Sequence, residues 1–137
     1  MDEIHVIGGK CLHGNITVQG SKNTVLPLMA GALLYRGINV LKACPRITDV
    51  FYMEEILRAL GAETWWEDHD LYLDCTHADG SHVPEIYSGR MRSSIILLGP
   101  ILARNQQAEI GYPGGCVIGK RPVDLHLYVL RRFGAQI

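Results

Sequence analysis

The chain repeats itself. Ile56 to Glu63, ILRALGAE, reads against Val129 to Gln136, VLRRFGAQ, and Gly31 to Arg36, GALLYR, against Gly99 to Arg104, GPILAR. Pro45 and Pro113 keep the register of the second match. Recurrence within 137 residues constrains the fold strongly, because each copy must bury its apolar face on the same supersecondary plan. Each copy reads as a polar start, an apolar helix, a short strand ending near a proline, a loop, and a second helix closed by Gly-Ala. That order is α/β. Repeat one covers about 21–85 and repeat two about 86–137.

In repeat one the spacing of Val25, Leu26, Leu28, Met29, Ala32 and Leu33 predicts a helix over Thr24–Tyr35, apolar on more than one side and so buried nearly all round. Pro27 belongs in its first turn, where a missing N–H costs nothing, which puts the N-cap at Asn23 or Thr24. Ile38 to Cys44 is a strand. Thr48 or Asp49 caps a second helix whose inward face is Met53, Ile56, Leu57 and Leu60, and Gly61 stops it. Thr64 to Cys75 predicts a hairpin turning at Asp68 to Asp70, with Trp65 and Trp66 on opposite faces. Repeat two follows the same course to Gly134. The chain then ends at Ile137, where the matching hairpin should begin, so an incomplete unit is expected. Ahead of both copies, residues 1–20 alternate like two short strands separated by glycine turns.

The copies differ in one place. Sixteen positions separate Pro45 from Gly61 but twenty-one separate Pro113 from Gly134, so repeat two carries five extra residues in PGGCVIGKRPVD. An insertion in one copy of a repeat is where function is expected. Cys116 lies in it, with Lys120 and Arg121 four and five residues on. Nearby cations stabilise thiolate and bring its pKa from about 8.5 toward neutrality, fitting the thiol for general-acid or nucleophilic work. A cysteine alone would read as a small hydrophobe; the insertion and its cations favour chemistry. Lys22, before the first helix, and Arg90 and Arg92, at the equivalent start of repeat two, oppose the helix dipole, which suits them to an anionic ligand.

Charge distribution agrees. Net charge is -1, but ten of fourteen acids lie from Asp49 to Glu85, whereas seven of thirteen Lys and Arg lie from Arg90 onward. The later region suits phosphate or carboxylate ligands. Nucleic acid fits less well, since aromatics do not interleave the basic residues. No apolar run approaches the roughly 18 residues of a membrane span, and the acidic N-terminus is unlike a secretory signal. The four cysteines form no C-x-x-C pair, so reduced thiols in a cytoplasmic protein are expected. Cys75, His77, Asp79 and His82 read as a surface turn instead of a metal site. No Ser-His-Asp, Walker or dinucleotide-binding pattern occurs.

On GSKN (Gly20 to Asn23), RMRSSIILLGPILAR (Arg90 to Arg104) and PGGCVIGKRPVDLH (Pro113 to His126), the chain resembles the N-terminal third of the UDP-N-acetylglucosamine 1-carboxyvinyltransferase family of enolpyruvyl transferases. The resemblance implies an inside-out α/β barrel of repeated βαβαββ units, six over two domains, of which about two stand here, with residues 1–20 packing against the second domain. It implies transfer of enolpyruvyl from phosphoenolpyruvate to the sugar 3-hydroxyl with release of phosphate, and no metal or organic cofactor. Cys116 matches the general acid that is also the fosfomycin target. Lys22, Asn23 and Arg121 match phosphoenolpyruvate contacts. Arg92 and the stretch Arg121, Pro122, Val123, Asp124 and Leu125 match contacts to the nucleotide sugar. Arg90 and Lys120 match no motif position. The base and further arginines would lie beyond Ile137, so these residues alone are expected to be inactive. The alternatives are a non-catalytic binding fragment and a shikimate-pathway enolpyruvyl transferase, which would lack the cysteine loop.

Overall fold

The computed structural model of the chain describes residues 3–114 and 122–137. Repeat one opens with α1 (Lys22–Ala32), followed by β1 (Ile38–Leu41), α2 (Thr48–Ala59), and the hairpin β2 (Glu63–Glu67) and β3 (Asp70–Asp74). A short strand β4 (His82–Val83) and a single-turn helix α3 (Glu85–Ser88) lead into repeat two. There a 3-10 segment (Arg92–Leu97) runs into α4 (Leu98–Asn105), then β5 (Glu109–Ile110) and α5 (Asp124–Arg132). The α/β reading and the order of elements in both copies hold.

β3 is central in a three-stranded antiparallel sheet of order β1-β3-β2. In register, Tyr72 faces Val40 on one side and Trp65 on the other. Alternation sends Leu71, Leu73 and Cys75 inward onto Val50, Met53, Ile56 and Leu57 of α2 and Leu26, Met29 and Leu33 of α1, all buried. Trp65 stays outside, stacked on Tyr72 at 5.1 Å. Trp66 turns toward the core and carries the Arg46 guanidinium 4.6 Å above its ring. β4 and β5 pair in parallel, with the helices of repeat two as their crossover.

The helix ends repeat at atomic detail. After α2, Gly61 N–H bonds to the Arg58 carbonyl and Ala62 N–H to Leu57; after α5, Gly134 bonds to Arg131 and Ala135 to Leu130. Both are Schellman closures, with the glycines at φ +98° and +95°.

Several boundaries differ from expectation. α1 begins at Lys22 on the Ser21 carbonyl, so Ser21 and not Asn23 or Thr24 is the capping position, and Pro27 sits beyond the first turn. Its missing N–H leaves only the Asn23 carbonyl without an i+4 donor, and Asn23 is exposed to water, which keeps the cost small. α1 is also not buried all round, since Leu28 is exposed, and it ends at Ala32 instead of Tyr35. The first helix of repeat two is split, since Pro100 withholds the N–H that Ile96 would need and a 3-10 turn precedes it. Residues 3–20 form neither of the two expected strands and are exposed. A strand's hydrogen bonds need a neighbouring strand, and among the described residues none lies beside them.

One buried charge organises repeat one. Glu54 on α2 is 2% exposed and accepts hydrogen bonds from Arg58 (2.8 Å), the Thr64 hydroxyl (2.9 Å) and the Trp66 indole (3.1 Å). Glu54→Gln is expected to cost about 1–3 kcal/mol in urea unfolding, because an amide nitrogen would face a donor. An unchanged midpoint would mean that the three donors find other acceptors.

Candidate functional site

Two of the candidate cations, Lys22 and Arg90, rest on α2. Gly20 lies against the loop entering that helix: a β-carbon there would come within 2.8 Å of the Ala43 carbonyl. This close approach sets GSKN beside the start of α2. Lys22, the first residue of α1, then reaches Asp49 in the first turn of α2, with Nζ 2.8 Å from Oδ2. Asn23 follows, exposed. Asp49 is favoured where it stands by the α2 dipole, whereas Lys22 is opposed by that of α1.

Arg90 stands sixty-eight positions after Lys22, the register of the repeat. It too rests on α2, 5.6 Å over the Tyr52 ring and 3.9 Å from Glu55. Asp49, Tyr52 and Glu55 follow at three-residue steps, so the cations that open the two copies are held by successive turns of one helix. Arg92 begins the 3-10 segment and is half-buried.

The loop is rooted at the same place. Gly114 N–H bonds to the Ser88 carbonyl at 3.2 Å, and a β-carbon on Gly114 would collide with the Gly89 carbonyl. The first glycine of the insertion therefore serves close backbone approach, next to Arg90 and Arg92. Cys116, Lys120 and Arg121 lie outside the described residues. On the far side Pro122 is exposed, Val123 is buried, and Asp124 and the exposed Leu125 begin α5.

Sequence reasoning took Asp49 only as a helix cap, weighed Asp79 only as part of a surface turn, and did not single out Tyr52, Glu55 or Arg104. Arg36 and Arg104 end the two matched motifs, and both grip Asp79, Arg36 Nη1 at 2.9 Å and Arg104 Nε at 3.3 Å. Burial would raise the Asp79 carboxyl, but these hydrogen bonds and charges outweigh it and hold the group below the ordinary range. Cys75 is buried and its thiol is pushed up chiefly by that burial, while His82 lies 3.3 Å from Glu109.

A cavity of about 730 Å³ opens between α4, β5 and α5, lined by Ile95, Leu102, Ile110, Leu127 and Leu130 among others. Repeat one fills the matching space with the inward residues of its hairpin. No helix among the described residues is long and apolar enough to cross a membrane.

Residues 6–137 match the family described as EPSP synthase (3-phosphoshikimate 1-carboxyvinyltransferase). The whole chain is 42% identical to UDP-N-acetylglucosamine 1-carboxyvinyltransferase 2 of Caldanaerobacter subterraneus subsp. tengcongensis and 37% identical to UDP-N-acetylglucosamine 1-carboxyvinyltransferase of Dichelobacter nodosus, spanning 33% of each. The chain thus spans about a third of the length of these curated relatives. Among solved structures, the enolpyruvyl transferase NikO from Streptomyces tendae superposes with TM-score 0.64 at 27% identity, over 72% of this chain and 23% of that one.

Proposed function

This chain belongs to the EPSP synthase family, and from that premise we propose that it forms the first part of an enzyme that transfers enolpyruvyl from phosphoenolpyruvate to the 3-hydroxyl of UDP-N-acetylglucosamine. The observation that carries the reading is the match, over the full chain, to relatives named for this reaction. Cys116 gives a proton to the phosphoenolpyruvate methylene carbon as the sugar 3-hydroxyl passes its own proton to a base outside these residues and its oxygen adds to the neighbouring carbon. Loss of a proton and of inorganic phosphate then yields the enol ether. Lys22, Asn23 and Arg121 bind phosphoenolpyruvate, while Arg92, Arg121, Pro122, Val123, Asp124 and Leu125 bind the nucleotide sugar. Lys22 and Asn23 at the exposed start of α1, with the Gly114 root beside Arg90 and Arg92, are consistent with one shared anionic site.

The same reading places the enzyme in the cytoplasm, in peptidoglycan synthesis and hence in cell shape and division, as a fosfomycin target. It makes residues 21–137 part of an inside-out barrel, in which a further hairpin fills the cavity beside α5 and residues 1–20 pair as strands with a second domain. A second reading follows from the family description itself: 3-phosphoshikimate as the acceptor. Phosphate release by the full polypeptide separates them. It is expected with UDP-N-acetylglucosamine and absent with shikimate 3-phosphate, and the reverse would establish the second reading. Arg121→Ala should chiefly weaken nucleotide-sugar binding by about tenfold or more, as loss of a charged hydrogen-bond partner does; an unchanged affinity in calorimetry would remove Arg121 from the site.

A further inference from the structure

Asp49 has no role in the reaction as assigned above, yet it is the side chain that Lys22 touches. A lysine side chain carries about 2 kcal/mol of rotamer entropy, so an ammonium that must meet a small anion gains from being held beforehand. Here the holding group is fixed from both sides. Gly20 pressed on Ala43 sets where α1 begins relative to α2, and the first turn of α2 presents Asp49 to the lysine at 2.8 Å. The ammonium has three donors and the carboxylate uses one, leaving two for a ligand. Both side chains remain partly accessible, at 48% and 32%, so a ligand can approach without breaking a buried pair.

We propose that Asp49 is a positioning residue for phosphoenolpyruvate binding, holding the Lys22 ammonium at the start of α1 so that its remaining donors meet the anionic substrate. The inference rests on the reading of Lys22 as a phosphoenolpyruvate contact. Arg90, on Tyr52 and Glu55 of the same helix, has a comparable support in the next turns, but no substrate role is assigned to it.

The test is a double-mutant cycle in the full polypeptide with phosphoenolpyruvate and UDP-N-acetylglucosamine as substrates. Asp49→Asn should raise the phosphoenolpyruvate KM by about fivefold, the upper end for a partly exposed ion pair, and leave the nucleotide-sugar KM unchanged. Asp49→Glu, which keeps the charge, should recover part of the loss and also serves if the asparagine variant folds poorly. Lys22→Met should raise the same KM further, and adding Asp49→Asn to it should change nothing more, because a group acting through Lys22 has no effect once Lys22 is gone. A phosphoenolpyruvate KM that is unchanged or lowered in both Asp49 variants, while Lys22→Met raises it, would overturn the inference alone. Additive losses in the double variant would also overturn it. If Lys22→Met leaves that KM unchanged, or the wild-type protein does not turn over phosphoenolpyruvate, the reading of Lys22 fails and the inference with it.

Discussion

Replacing Cys116 with alanine in the full polypeptide is expected to slow phosphate release from phosphoenolpyruvate by roughly 10²- to 10⁴-fold, the contribution of a positioned general acid. Binding of the nucleotide sugar should persist, since in the proposed reaction the thiol delivers a proton and does not hold the sugar. The same variant should lose covalent labelling by fosfomycin, read as the mass of the peptide that contains residue 116. The remaining cysteines make the labelling selective for a physical reason. Cys44 and Cys75 are buried, and burial pushes both thiols up, with Glu54 adding to the effect at Cys44, which reaches about 11. Little thiolate exists at either near neutral pH. Cys11 is exposed, next to Lys10 but outside the loop, and serves as the internal control for a thiol with access to the reagent. Label on Cys11, Cys44 or Cys75 in place of Cys116 would defeat the assignment.

Arg104→Ala should be strongly destabilising, by about 2–4 kcal/mol, because it leaves buried carbonyls without their charged donor. The Arg104 side chain is 4% exposed. Its Nη1 donates to the Leu33 carbonyl at 2.7 Å, and its Nη2 to the Cys75 carbonyl at 2.6 Å and the Thr76 carbonyl at 3.2 Å. It therefore joins α4 of repeat two to the end of α1 and to the segment after β3, and truncation strands carbonyls that water reaches poorly. Arg104→Lys should recover little, because one ammonium cannot span three carbonyls and Asp79 in a fixed plane. Arg36→Ala, its counterpart in repeat one, should be close to neutral, since that side chain is exposed. Urea unfolding of the three variants checks the ordering, and equal effects of Arg36→Ala and Arg104→Ala would refute the clamp.

These two arginines mark how far the sequence could be read. Their equivalence is visible in GALLYR and GPILAR, but nothing local separates the exposed copy from the buried one. The Gly-Ala helix closures were legible, because a Schellman motif is made within a few consecutive residues. So was the Asp68–His69 turn with alternating strands on either side, and the division of Trp65 from Trp66. The start of α1 was misplaced by two residues because the rule for proline in a first turn outweighed a weaker cue, the Ser21 carbonyl as first acceptor. Residues 3–20 carry a strand pattern without a strand, since alternation describes which faces would be apolar and does not supply a partner.

Periodicity and residues adjacent in the chain were enough for the repeated α/β unit, the inward face of α2 at Met53, Ile56 and Leu57, and the insertion that carries Cys116. That Lys22 is held by Asp49, that Arg90 rests on the same helix, that Gly114 packs on Ser88 and Gly89, and that Arg104 is the buried member of its pair emerged from the packed fold alone. Each of those depends on segments distant in sequence being packed to within a few ångströms. Packing of that kind is set by the whole core, through close approaches such as Gly20 against Ala43, and no short stretch of residues encodes it.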